Sequence, residues 1–372
     1  MLLSYSYLLI ILLMSCGVIK LLNSFSIQPI LIQFVFLLCL TFSSHFLNFK
    51  ILINSADIKL LFIFSMCYLM SQIIHESVEV KPNKKIIVFS FISLLIPFFI
   101  GFIVSFFYFS STASAATIMG LIYSVVAVPV LYIYLKELKY TGEKLFLYIQ
   151  SAVAIDLLAW AVFALLKSAE SYHLLAICFA LGFIPYVDKI IKIKKQYSSV
   201  FYNFLFFVIF FYLEYQKLNG LLFCIVYLFA MRFNHIEFLI GNQFRGKDSI
   251  QTHIIIPLII LYGLLQINFD KIDTSFSPML ILLLIVLPFA SKCFANYVAY
   301  YFIGLKPDKL DSIILSTRGL TEIVFLNMSK QAGFINDNFY FYLILMSLLS
   351  TIVPGILIEN RKKYENYSRK LS

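Results

Sequence analysis

Four ionisable side chains stand inside runs that are otherwise apolar: Asp156 in SAVAIDLLAW, Lys292 in LPFASKCFANY, and Arg318 with Glu322 in STRGLTEIVFLN. An Asp, Lys or Arg at the centre of a bilayer-spanning helix costs about 2.5 to 3.5 kcal/mol on insertion scales, so such residues are kept for a reason. A carboxylate shut away from water can take up and release a proton, or bind a small cation in its place, and a buried ammonium can balance the anion when both have left. Arg318 and Glu322 are four residues apart and neutralise each other along one helix face. No opposite charge stands at that spacing from Asp156 or Lys292, and these two are expected to meet between helices. The bland alternative is that all four only glue helices together. Glu76, Glu214 and Asp188 fall near the ends of apolar runs and read as solvated helix termini.

The elements that must position these residues are membrane spans. Of 372 residues, 61% are hydrophobic and 13% charged, a balance that excludes an ordinary water-soluble domain. No polar stretch reaches the roughly 50 residues of a small soluble domain, so the chain reads as a single all-α membrane domain. Thirteen apolar segments are long enough to cross the hydrocarbon: near 5–22, 27–43, 58–75, 85–108, 112–136, 145–167, 171–187, 198–216, 218–233, 252–268, 277–304, 309–331 and 338–358. The first lacks the basic start and small-residue cleavage site of a signal peptide and counts as a span. An odd number puts the termini on opposite sides. With the C-terminus in the cytoplasm, twenty-one Lys and Arg fall in inside loops and tails and six in outside loops, the asymmetry expected of a correct topology. The net charge of +10 is thereby explained without nucleic acid, and the basic tail at 359–372 suits an anionic lipid surface. The six cysteines lie in apolar segments without paired metal-ligand spacing and read as small packing residues.

Two spans carry interruptions. In GLIYSVVAVPVLYIYLKEL, Pro129 withholds an amide hydrogen, so the helix is expected to kink or unwind between Val126 and Pro129. In DSIILSTRGLTEIVFLN, the triplet Thr317-Arg318-Gly319 does the same near mid-span. Pro97 precedes Val126, and Pro288 precedes Thr317, by the same 29 residues. That correspondence predicts two repeats, each containing a broken helix, as in transporters built from inverted repeats with a midplane site. Half-helix ends carry about half a unit of partial charge, which Arg318 is placed to offset, and a cation could use their carbonyls as ligands.

At this point the sequence resembles a known family. The stretch 124–160, from SVVAVPVL to SAVAIDLLAW, is similar to the segment between the TAxPVL motif and the acidic-pair motif of the monovalent cation/proton antiporter superfamily, in its Kef-type and plant-exchanger branch. The stretch 287–327 is similar to that family's lysine-bearing helix and the RGLxE helix after it. Weaker likenesses at 28–34, 91–102 and 249–264 extend the match over most of the chain. The resemblance implies a thirteen-helix NhaA-like fold and a homodimer. It also implies a core bundle (85–167 and 277–358) that moves against a dimerisation scaffold (1–84 and 188–276), with 171–187 as the linker helix. Asp156 then falls on the ion-binding aspartate, which takes Na+ or K+ in exchange for H+, and Lys292 on the core lysine. Val126, Pro129, Thr317, Arg318, Gly319 and Glu322 fall on the broken helices and their charge compensation. No cofactor is implied, and the expected home is a bacterial inner membrane. Three positions depart from the pattern: Ile155 where Asp, Asn or Gln is usual, Val126 where Thr or Ser is usual, and Gln33 where Glu is common. They leave open a second reading, a homologue that keeps the fold but acts as a sensor or binds a partner. An enzyme is not expected, because GxSxG, HExxH and a phosphate-cradling glycine loop are all absent and HESVE at 75–79 has the wrong last residue for a zinc motif.

Overall fold

The computed structural model describes residues 2–22, 29–46, 61–62, 64–65, 83–109, 111–168, 172–187, 195–215, 220–234, 236, 251–269, 272, 277–306 and 308–371. Among these the regular elements are all helical. They are α1 (Leu2–Leu22), α2 (Pro29–Phe46), α3 (Lys84–Tyr108), α4 (Ala113–Ser124), α5 (Val128–Glu137), α6 (Gly142–Ser168) and α7 (Tyr172–Gly182). There follow α8 (Lys195–Tyr215), α9 (Gly220–Phe233), α10 (Ile256–Leu265), α11 (Pro278–Phe302), α12 (Lys309–Ile314), α13 (Leu320–Gln331) and α14 (Asp337–Leu371). The expected spans coincide with these helices, apart from the one at 58–75, which lies almost wholly outside the described residues. Among the described residues, four helices (α3, α6, α11 and the Asp337–Arg361 part of α14) are each long and apolar enough alone to cross a membrane. Large apolar side chains such as Phe99, Phe107, Phe204 and Phe302 point outward, which suits hydrocarbon rather than water.

The chain divides into two compact units. One comprises Met1–Ser65, Asn83–Ile155 and Ser249–Ser372, and the other Met66–Pro82 and Asp156–Asp248. The helix α6 contributes its first half to the former and its second half, beginning with Asp156, to the latter. In the smaller unit α9 packs against α7 and α8. Stacked Phe206, Phe210 and Phe223 fill that contact, and the buried Tyr227 hydroxyl donates to the Tyr202 carbonyl at 2.8 Å.

The larger unit is built on the close approach of α3, α4 and α11. Glycines make it possible, because a side chain at Gly101 would meet the Tyr123 ring at 2.7 Å and one at Gly120 would meet the Phe98 carbonyl oxygen at 2.6 Å. Small residues at such crossings let backbones meet where no hydrophobic drive separates helix from lipid. Both expected interruptions occur. The fifth span stops at Ser124, runs extended through Val125 and Ala127, and resumes as α5. The break thus falls just ahead of Pro129, which sits in the first turn of α5, where helical amides lack partners in any case. The twelfth span stops after α12, tightens through Ser316 and Thr317, and resumes at α13. The basic tail expected beyond 358 is continuous with the last span, since α14 runs unbroken to Leu371. Its 35 residues correspond to about 50 Å at 1.5 Å per residue, well beyond a hydrocarbon core of about 30 Å.

Candidate functional site

The two interruptions meet. The Ala127 amide donates to the Thr317 carbonyl at 3.0 Å, so one backbone group from each break is satisfied by the other. Gly319 fits this crossing closely, since a Cβ there would lie 3.1 Å from Val130 Cγ2 and 3.3 Å from the Ala127 methyl. Thr351 on α14 holds the segment from the other side, its hydroxyl donating to the Arg318 carbonyl.

Arg318 and Lys292 close the C-terminal end of α4. The fully buried Arg318 guanidinium donates to the carbonyls of Ile122 and, at 2.6 Å, Tyr123. It also pairs with Glu322 Oε1 at 2.8 Å, with both side chains fully buried, and reaches the Pro288 carbonyl at 3.4 Å. Lys292, also fully buried, donates from Nζ to the carbonyls of Ser124 at 2.6 Å and Ser93 at 2.9 Å. Three successive carbonyls at the negative end of α4 therefore receive donors from two cations, whose charge offsets the helix dipole there. The carbonyls of Ile122, Tyr123, Ser124, Thr317 and Arg318 each already accept a donor from the protein. A polar relay extends the site: Ser93 Oγ donates to Asn296 Oδ1 at 2.6 Å, and Asn296 Nδ2 to the Ser312 carbonyl at 3.1 Å.

Asp156 is fully buried on α6. Helical spacing puts it on one face with Ala152, Trp160 and Phe163, all buried, while Leu158 and Leu165 on other faces are exposed. The carboxylate therefore belongs to the enclosed stripe of the helix. Ile155 is buried beside it in sequence, Val126 is buried in the first break, and Gln33 is buried on α2. The structure thus brings Val126, Thr317, Arg318, Gly319, Glu322 and Lys292 to one crossing, with Pro129 in the helix that leaves it.

A family model described as sodium/hydrogen exchanger, transmembrane, matches residues 78–360. The chain belongs to this family. The match spans both broken helices, α6 with its aspartate and α11 with its lysine. The chain is also similar to the Na(+)/H(+) antiporter NhaS4 of Synechocystis, with 22% identity over 116 residues, which is 31% of this chain and 28% of that protein. The aligned stretch is thus under a third of the relative's length. In fold it is similar to the sodium proton antiporter MjNhaP1 of Methanocaldococcus jannaschii, with a TM-score of 0.59 and 12% identity over 96% of both chains. The fold is accordingly that of a polytopic antiporter-type membrane protein, and the family is one of exchangers rather than enzymes.

One cluster escaped the sequence reading. Asp311 in α12 is fully buried and accepts from the Tyr140 hydroxyl, from Tyr148 Oη at 2.6 Å and from Lys144 Nζ at 3.1 Å. Tyr140 lies in the turn between α5 and α6, where Lys139 takes a left-handed conformation with φ 57°, and burial together with the bond to Asp311 raises its phenol above the usual range. The signal was present in DKLDS, where Asp308 caps α12 by accepting from the Leu310 amide and Asp311 follows one turn later. An acid in a first helical turn reads as solvated unless its neighbours are known.

Proposed function

We propose that this exchanger moves protons against Na+ or K+ by alternating access, with proton and cation competing for Asp156. The observation that carries the reading is the enclosure of that carboxylate on the inner stripe of α6, in a chain of the sodium/hydrogen exchanger family. Proton and metal ion each neutralise the same anion, so they exclude each other. A neutralised site crosses the barrier far more readily than a bare charge. By the resemblance to the antiporters, Lys292 stands for the core lysine that stabilises the anion while it is empty. The broken helices at Val126–Pro129 and Thr317–Gly319 would lend backbone carbonyls as cation ligands, since a carbonyl that accepts one donor keeps a second lone pair. Arg318 and Glu322 balance each other and the end of α4, so they keep the crossing intact through the cycle. The site holds one acid at the position where the family usually carries a pair. The simplest stoichiometry is then one proton for one cation, without net charge movement.

The resemblance to the antiporters favours a homodimer whose scaffold is drawn from 1–84 and 188–276 and whose core from 85–167 and 277–358. The basic loops favour a C-terminus in the cytoplasm, its basic helix against anionic lipid, and the resemblance to the antiporters favours a bacterial inner membrane. Purified protein in liposomes, loaded with a pH dye and challenged with NaCl or KCl over a range of pH, tests the reading. Dye signals that require one of the two cations support it, and none with either cation overturns it. A second reading rests on Ile155 and Val126, both buried hydrocarbons where the family has polar groups: a chain that keeps the fold and does not transport. Under it the native chain is silent and Ile155→Asp or Ile155→Asn gains exchange.

A further inference from the structure

The Asp311 cluster lies wholly within the larger unit, and nothing in the exchange reading uses it. Its carboxylate is fully buried, yet the Lys144 that donates to it keeps 47% of its side chain exposed. A buried carboxylate is tolerated only when its charge and lone pairs are matched, so the acid inside depends on the ammonium at the surface. Lys144 Nζ also stands 5.2 Å from the centre of the Tyr140 ring, a cation–π contact that keeps these two donors together. Tyr140 sits in a turn between two residues of left-handed backbone, Lys139 at φ 57° and Gly142 at φ 66°. A lysine holds that conformation only where its surroundings offset the cost. The bonds to Asp311 do so, and they pin the turn to α12. Behind the turn the rings of Tyr140, Tyr148 and Tyr300 follow one another edge to face with centroids 6.0 Å apart.

Beyond this cluster the contact between α11 and α12 is polar. Asn296 of α11 donates to the carbonyl of Ser312, the residue after Asp311, and accepts from Ser93 on α3, whose own carbonyl receives Lys292. About one turn away on α11, Cys293 Sγ lies 3.2 Å from Ser316 Oγ. Polar side chains within a membrane bundle face one another or a water-filled path. Here they face one another, in a row that runs from a half-exposed lysine to Lys292.

We propose that Tyr140 and Lys144 form a strap that closes the end of a polar seam between α11 and α12: while both hold Asp311, water is kept from the row leading to Lys292, and their release admits it. With both donors gone the carboxylate keeps only the Tyr148 hydroxyl. A buried anion left so poorly matched draws water to itself, and the turn loses the bonds that hold it on α12. Asp156 has no part in the strap, whose failure leaves the exchange reading standing.

The test measures access to the seam without any need for transport. In a chain whose native cysteines are replaced by serine or alanine, Ser312→Cys places one thiol beside Asp311. The change is mild, because the Ser312 hydroxyl donates to the Asp308 carbonyl of its own helix. A companion chain keeps Cys224 alone, fully buried in the smaller unit, to report general loosening. Each is purified in detergent with the strap intact and with Tyr140→Phe, Lys144→Gln, the two together, or Lys144→Arg, and reacted with a water-soluble maleimide. A hydrogen bond to a charged group is strong enough for its loss to raise opening roughly tenfold. The expected result is labelling at 312 about that much faster in the double variant and a smaller rise in each single one. Lys144→Arg, which keeps a charged donor, should label at close to the parent rate, and Cys224 at an unchanged rate throughout. An unchanged rate at 312 overturns the proposal, because the strap then closes nothing. Equal acceleration at Cys224 overturns it as well, because the effect is then general unfolding. If the double variant does not fold, the single variants set against Lys144→Arg decide by the same criteria.

Discussion

At the scale of the residue, Arg318 is held by four acceptors, three backbone carbonyls and the buried acid Glu322. Removing one member of a buried ion pair costs about 3 to 5 kcal/mol, because the other is left uncompensated. Arg318→Met should therefore lower the melting temperature sharply, and adding Glu322→Gln should recover part of the loss. Recovery is the sign of coupling, and strictly additive losses in a double-mutant cycle would show that the pair is not what stabilises the crossing. The pair was legible in the sequence from its four-residue spacing, although Arg318 lies in the break and only Glu322 on α13, so the two do not share one helix face as expected. The partners of Lys292 were not legible, since backbone carbonyls of distant helices leave no mark in sequence. Asp311 was hidden for a related reason: its donors Tyr140, Lys144 and Tyr148 come from a segment more than 160 residues away.

At the scale of the element, the break points followed from proline and glycine chemistry, and the structure refined where the first one falls. It lies at Val125–Ala127, because Pro129 is compatible with the first turn of a new helix and it is the residues before it that leave the old one. The α3–α4 contact makes a sharp prediction. Gly120→Ala would force a methyl against the Phe98 carbonyl and should destabilise the protein or prevent its assembly. Gly17→Ala on α1, where an added methyl would meet nothing within 4 Å, should be neutral or stabilising by up to about 1 kcal/mol. Melting temperatures of the two purified variants check this, and equal effects would contradict the packing described. The Asp311 cluster ties the turn before α6 to α12. The Tyr140 phenol is held protonated in the fold beyond its unfolded value, so folding stability from this group is full below about pH 10 and falls as pH rises above it. Tyr140→Phe should flatten that alkaline decline in a stability-against-pH series, and an unaltered slope would remove Tyr140 as its source.

At the scale of the whole molecule, hydropathy was enough to anticipate the helical architecture, because it is set by the bilayer rather than by packing detail. The helical continuation of α14 to Leu371 was not anticipated, since a basic run after a span reads as a tail until its backbone is seen. The sidedness argued from the loops predicts that a fluorescent protein fused after Ser372 folds and glows in bacterial cells. It also predicts that a cysteine placed at Lys167 is labelled from outside by an impermeant thiol reagent while one at Lys144 is not. The reverse labelling would invert the topology. The central claim is that one enclosed carboxylate alternates between proton and metal ion. Its most direct test is the recovery of a pH dye in everted membrane vesicles on adding NaCl or KCl, comparing wild type with Asp156→Asn. Recovery in wild type and none in Asp156→Asn is the predicted result, and equal recovery in both would contradict the claim.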